Sequence, residues 1–186
     1  MEDWLCSKAY EAEHERRNEE IRSRYPDLVQ GHLFSCHVGW FDLLERLFGE
    51  IADILKDGDV TKFELRQVKQ KFGSLRFYWR YRGEAEVRDR INLAVFAAEC
   101  RSEMTCEICG KPGLQRVGGG WLSTRCDDHG TERGKPMVVT PPAEEQAAWV
   151  PEMERIYADG RYARYAYDRE ADRVVLVEEG VTDDDD

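Results

Sequence analysis

"KFELRQVKQKFGSLRFYWRYR", residues 62–82, is the stretch on which the fold class turns. Phe, Val, Tyr and Trp are dense in it, and Gly73-Ser74 offers a two-residue turn, so the spacing predicts an antiparallel β-hairpin. With that turn, one face pairs Phe72 with Leu75, Gln70 with Phe77, Val68 with Trp79 and Arg66 with Tyr81. The other pairs Lys71 with Arg76, Lys69 with Tyr78 and Gln67 with Arg80. Side chains alternate along a strand, so the first face is mostly core-like and the second is basic.

A core-like face needs a cover, and the flanking segments supply it. "GWFDLLERLFGEIADILKDGD" (39–59) sets Trp40, Leu43, Leu44, Leu47, Phe48, Ile51 and Leu55 at steps of three and four, which is one apolar helical stripe. After the hairpin, residues 84–101 carry Val87, Ile91, Ala94, Val95 and Ala98 at helical spacing. The expected fold class is α+β: helices packed on a β-hairpin-based antiparallel sheet, with an embedded zinc-ribbon-like knuckle. The core occupies 26–130. Residues 1–25 read as an exposed N-terminal helix, charged over 9–25 and stopping before Pro26. Residues 131–186 read as a C-terminal extension: a helix with Thr140 as N-cap and Pro141 at N1, a hairpin over 160–179, and a disordered acidic tail ending in four Asp.

The knuckle is "CEICGKPGLQRVGGGWLSTRCDDHG", residues 106–130. Cys106 and Cys109 form one short chelating pair, and Cys126 and His129 form the other. Zinc takes four tetrahedral sulfur or nitrogen ligands, and two such pairs joined by a hairpin at 103–130 supply them. Gly110, after the second cysteine, suits the positive φ of a tight knuckle, and Gly118–Gly120 suit a hairpin tip. A redox Cys-x-x-Cys has no need of the Cys-x-x-His partner, and four protein ligands leave no position for a reacting water, so the expected zinc is structural, one per chain. Nothing matches the deaminase pattern of His-x-Glu followed by Pro-Cys-x-x-Cys. Three thiolates leave the bound site about one charge negative, with Lys111, Arg116 and Arg125 nearby in sequence to offset it. Cys6, Cys36, Cys100, His14, His32 and His37 complete no second shell. "HERRN" (14–18) carries Asn where a zinc-protease helix needs its second histidine.

Net charge is −11 with a pI near 5.0. That sign disfavours nucleic acid and anionic membranes and suits a basic partner. There is no signal-peptide pattern and no run of about 18 apolar residues, so the expected compartment is the cytoplasm. Against this background the 62–82 stretch carries seven Lys or Arg and one Glu. Lys69, Lys71, Arg76, Tyr78 and Arg80 are therefore candidates for binding an anion or a partner. Alternatively the cations pair internally with acidic neighbours such as Glu45, Glu50, Asp53 or Glu84. A nuclease reading sets Asp57 or Asp59 with Gln67 and Lys69 around Mg²⁺.

The order "RYPDL", "GWFDLLERL", "QVKQKFGSLRFYW", "SEMTCEICGKPG", "GGGW" and "TRCDDH" resembles a widespread group of small bacterial and phage proteins without an established activity. The resemblance covers about residues 24–130, and "VKQKFGSLRFY" and "CEICGKPG" carry most of it. It implies a fold unit with a zinc knuckle and a mobile-element setting, such as phage accessory, anti-defence or immunity genes. The expected function is a non-enzymatic zinc-binding interaction protein with a protein partner. The alternatives are a nucleic-acid-binding regulator using the basic hairpin, and a metal-dependent nuclease.

Overall fold

The computed structural model describes residues 7–181. Cys6 and the four-Asp tail lie outside the described residues. The hairpin is strands β2 (Phe63–Lys71) and β3 (Ser74–Tyr81), and β1 (Phe34–Ser35) adds in parallel to β2. Its turn falls one residue earlier than expected, at Phe72-Gly73, with φ of 55° and 75°. The pairs are Lys71 with Ser74, Gln70 with Leu75, Lys69 with Arg76, Val68 with Phe77 and Gln67 with Tyr78. From Gln67 to Lys71 this corrects the cross-strand pairs while leaving the faces intact: each residue meets a partner two positions earlier, and a slip of two preserves the alternation. Phe72 moves from the core face to the tip, where it is 67% exposed. The register also shifts between Leu65 and Gln67, so Arg66 is extruded and Phe63, Leu65 and Val68 all turn inward.

Helix α3 (Phe41–Ile54) and helix α4 (Ala85–Ser102) cover that face; α1 (Lys8–Arg24) and the single turn α2 (Pro26–Val29) precede them. Trp40, Leu44, Leu47, Phe48 and Ile51 are fully buried, as the stripe predicts; Leu43 is only partly buried, and Phe41, outside the stripe, is buried as well, while Phe48 stacks 5.7 Å from Phe34 and meets Phe77 edge-on at 5.5 Å. Each such side chain contributes about 1.5–3 kcal/mol of burial. The N-terminal helix is less exposed than expected: Tyr10, Asn18 and Ile21 are interior, and Asn18 accepts from the Phe34 amide. Three inward positions were too few to register as a stripe.

The cysteine segment folds as β4 (Leu114–Gly118) and β5 (Trp121–Arg125), joined at Gly119-Gly120 with φ of 54° and 86°. The two-residue ladder β6 (Thr131–Glu132) with β7 (Lys135–Pro136) follows, and β8 (Val138–Val139) then pairs with β4. Beyond it, α5 is only Ala143–Ala148, and its N-cap is Pro142 rather than Thr140, with no side-chain cap. The expected C-terminal hairpin gains a strand: β9 (Glu152–Ile156), β10 (Arg161–Asp168) and β11 (Arg173–Val181) form one antiparallel sheet in the order 11-10-9. That sheet docks on α4 through Tyr167, which packs with Ala97 and Cys100, and through Asp172, which accepts from Arg101 at 2.6 Å and Arg46 at 2.5 Å. No helix among the described residues is long and apolar enough to cross a membrane.

Candidate metal centre

Two backbone devices bring the four sequence-predicted ligands together. At the first pair, the Gly110 amide donates to the Cys106 carbonyl at 2.9 Å, and Gly110 takes φ of 76°, as the reading of this knuckle required. The Cys106 amide donates to the Lys111 carbonyl at 2.7 Å, which closes the loop. At the second pair, a 3₁₀ turn over Asp127–His129 returns the imidazole toward Cys126. The Glu107 amide donates to the Thr124 carbonyl at 3.0 Å, and this bond fastens the first knuckle to β5.

The ligand atoms of Cys106, Cys109, Cys126 and His129 lie within 4.8 Å of one another. Cys109 Sγ is 3.7 Å from Cys126 Sγ, and His129 Nδ1 is 3.2 Å from Cys126 Sγ and 3.5 Å from Cys106 Sγ. A disulfide requires sulfurs about 2.05 Å apart, so these are thiols. A tetrahedral ion with bonds of about 2.3 Å to sulfur places two sulfurs roughly 3.8 Å apart, which fits the spacing found. Cys106 is fully buried, Cys126 is buried, and Cys109 reaches the surface. Desolvation, with help from Arg125, holds His129 below the ordinary imidazole value, which favours its neutral, ligating form. This is the one group of three or more His, Cys, Asp or Glu able to hold a metal ion among the described residues.

The cations expected to offset the site are present but already engaged. Lys111 pairs with Asp128 at 2.9 Å, Arg116 with Asp127, and Arg125 with Glu107 at 3.0 Å. The knuckle in turn sits on the core. The Gly39 amide donates to the Glu107 carbonyl at 2.9 Å, and the Trp40 indole donates to the Thr105 carbonyl at 2.8 Å. A Cβ on Gly39 would stand 2.4 Å from the Cys106 carbonyl oxygen and 2.6 Å from two knuckle amides, so only glycine permits this approach.

One feature escaped the sequence reading. Between α1 and the cysteine hairpin lies a recess of about 660 Å³, bordered by Tyr10, His14, His37, Glu107, Trp121 and Glu132 among others. Glu107 is 2% exposed. Burial pushes its carboxyl above the ordinary value, against the pull of Arg125. The Tyr10 hydroxyl is hydrogen-bonded to His37 Nδ1, and burial, then Arg125 and His14, hold His37 down to about 4, so it is neutral. His14 and His37 are both half-buried: His14 lies on α1, which returns against residues 34–37 so that His14 Nε2 meets the Cys36 carbonyl at 2.9 Å. No spacing in the sequence announces that return.

The basic hairpin face divides. Arg76 lies 3.9 Å from Glu99, Lys62 3.8 Å from Glu84, and Arg66 3.1 Å from Glu64, which also takes Arg82 at 3.5 Å. Lys69, Lys71 and Arg80 have no carboxylate within 4.0 Å among the described residues, and Lys69 lies 5.3 Å over the ring of Tyr78, which is exposed. The candidate set Lys69, Lys71, Arg76, Tyr78 and Arg80 thus shares one face, with Arg76 internally paired. The carboxylates of the nuclease reading are occupied elsewhere: Asp57 binds Arg90 at 3.0 Å, and Asp59 caps Thr61.

No protein-family model matches this chain, and no curated protein or solved structure is significantly similar to it.

Proposed function

We propose that this chain is a non-enzymatic interaction protein, clamped by one structural zinc ion, that binds a basic protein partner. The ligand set carries the reading. Three thiols and one imidazole converge at tetrahedral spacing, and that donor set suits zinc among the common divalent ions. Four protein ligands fill the shell, so the ion has no open position for a reacting water and serves as a fastener. A net charge of −11 attracts a basic partner and speeds encounter with it. The turn at Phe72-Gly73 abuts Leu122 and Ser123, so exposed Phe72 and exposed Trp121 flank one seam. Exposed aromatic side chains of this kind are common anchors of protein interfaces. The mobile-element setting belongs to the same proposal and rests on the resemblance alone.

The test has two parts. Metal analysis of protein purified without added metal should find one zinc per chain. A pull-down at low salt should recover a specific basic protein that is released as salt rises. Less than stoichiometric metal overturns the clamp, and the absence of any specific partner overturns the interaction role.

A second reading, a nucleic-acid-binding regulator, draws on Lys69, Lys71 and Arg80, which pair with no carboxylate among the described residues, beside exposed Tyr78. It requires a salt-dependent mobility shift with DNA or RNA that Lys69→Glu plus Arg76→Glu weakens. Unchanged mobility at low salt removes it.

A further inference from the structure

We infer that the recess between α1 and the cysteine hairpin is a binding site for a guanidinium group, presented as an arginine side chain of a basic partner protein. The inference begins with acceptors that nothing satisfies. Glu107 uses Oε1 to accept from Arg125 at 3.0 Å, while its buried Oε2 has no hydrogen-bond partner among the described residues. Glu132 also borders the recess, and its Oε2 is likewise buried without a partner. Buried polar atoms left unmet are costly and uncommon, so two on one recess ask for a donor-rich occupant.

The donors within the recess do not fill that role. Arg125 is committed to Glu107 Oε1, Gln70 spends its amide on the Leu122 carbonyl at 2.8 Å, and the Ser123 hydroxyl, close enough to Glu107 to interact with it, can supply one donor at most. His37 is neutral, and its Nε2 stands 4.0 Å from Glu107 Oε1, beyond hydrogen-bond reach. The local balance is therefore acidic, and an anion would meet two carboxylates. A cation with several donors fits, and the rim adds a further element. Trp121 borders the recess with 68% of its surface exposed, offering a π face to a flat cation. Guanidinium is flat, permanently charged and carries five donors in a fork, so it can meet two carboxylates while stacking on indole. A lysine ammonium cannot stack in this way.

The cysteine hairpin also looks built around the second carboxyl. A Cβ on Gly118 would stand 2.9 Å from Glu132 Oε2, and one on Gly119 would stand 3.1 Å from it. The glycines at this tip thus leave room for Glu132 as well as making the turn. The recess exists independently of the zinc assignment; it leans on the interaction reading only for the source of the guanidinium.

The experiment is a titration of the ¹⁵N-labelled full chain, metal retained, with three probes: N-acetyl-argininamide, its neutral citrulline counterpart, and a basic peptide containing one arginine. We expect saturable shifts at the Trp121 indole and the Glu107 amide with the arginine probe. The citrulline probe should bind at least tenfold more weakly, and the peptide at least tenfold more tightly. Glu132→Gln and Trp121→Ala alter partly or largely exposed side chains and should each weaken argininamide roughly tenfold. Glu107→Gln is avoided as the main variant because it strands Arg125. Argininamide binding with no gain in the peptide would overturn the protein source and assign the recess to a free guanidinium compound. Absence of shifts, equal binding of the citrulline probe, or indifference to both substitutions would overturn the site itself. None of these failures would touch the zinc count or a partner recovered by pull-down.

Discussion

The two hairpins of this protein have similar tips and different interiors. β2–β3 and β4–β5 both turn through two residues at positive φ, Phe72-Gly73 in one and Gly119-Gly120 in the other. Under the first lie Phe63, Leu65, Val68, Leu75, Phe77 and Tyr81, all buried against α3 and α4. Under the second the apolar cluster is Cys106, Ile108 and Cys126, and the buried strand residues are Arg116, Ser123 and Thr124. At about 25 cal/mol per Å² of apolar surface, the first hairpin has what folding requires and the second does not. A short ribbon with so little to bury needs a cross-link, and its four convergent ligand atoms are the means on hand. The contrast teaches that similar turn chemistry can serve two unrelated sources of stability.

Removing the metal breaks the comparison most severely. On the zinc reading, structural sites in small peptides contribute about 10–16 kcal/mol of coupled binding and folding, so chelation should unfold the cysteine hairpin outright. Cys109→Ser should cost several kcal/mol by the same logic. Hydrogen exchange should show protection lost over 104–139 and kept in α3 and in β2–β3. A cysteine hairpin that stays protected without metal would mean the comparison is false.

Phe48→Ala is the converse, aimed at the hairpin that depends on burial. Phe48 is fully buried and meets both Phe34 and Phe77. Its truncation should cost about 3–5 kcal/mol in denaturant unfolding. The zinc content of the protein that remains folded should not change. A variant that loses metal in parallel with stability would show that the two hairpins are one cooperative unit.

Gly39→Ala probes the seam between them. Its Cβ would meet backbone at 2.4 to 2.6 Å, and backbone cannot yield as a side-chain tip can. Overpacking of this kind costs about 1–3 kcal/mol. It should fall on the knuckle: a lower melting temperature and faster zinc loss to a chelator, with the 63–81 strands still formed. Melting and zinc release identical to the parent protein would show that the knuckle does not rest on Gly39.

How much of this was legible depended on whether the signal was local. The stripe from Trp40 to Ile51, the two faces of the hairpin over 67–71 and 74–81, and the ligand spacing 106, 109, 126, 129 are each written in local spacing, and each appears as expected, whereas the bulge that extrudes Arg66 and turns Phe63 and Leu65 inward has no such signal. The turn at Phe72-Gly73 was misplaced because Gly-Ser is the commoner turn pair, whereas here Phe72 takes the positive φ and leaves the core face for the exposed tip. Thr140 lost the cap because Pro142, further on, starts the helix. Strand β9 went unseen because its alternation, Glu152 to Ile156, places no large apolar residue in the core. The recess was beyond reach altogether. Tyr10, His37, Glu107 and Glu132 are separated by up to 122 positions and meet only through tertiary packing.

A third kind of attachment lies between burial and metal, and it supports the smallest prediction. Asp172 fixes the C-terminal sheet to the core through Arg101, Arg46 and Tyr167. Burial pushes its carboxyl up, but the hydrogen bonds from Tyr167, Arg101 and Arg46 outweigh that and hold it well below the ordinary value. The group is 43% exposed, so solvent screening limits the net contribution to about 1 kcal/mol. Asp172→Asn is the appropriate change because Asp172 sits at φ of 49°, a conformation asparagine also accepts. A carboxyl with a depressed folded value stabilises above its unfolded value, about pH 3.9, and loses that stabilisation as pH falls through the folded one. The parent protein should therefore exceed the variant by about 1 kcal/mol at neutral pH, and the gap should narrow below about pH 4. Denaturant curves of both proteins at pH 7, 5 and 3 measure it. A gap that persists undiminished at the lowest pH would show that Asp172 acts through shape rather than charge, leaving Tyr167 packing and the Arg155–Asp89 pair to hold the C-terminal sheet by attraction.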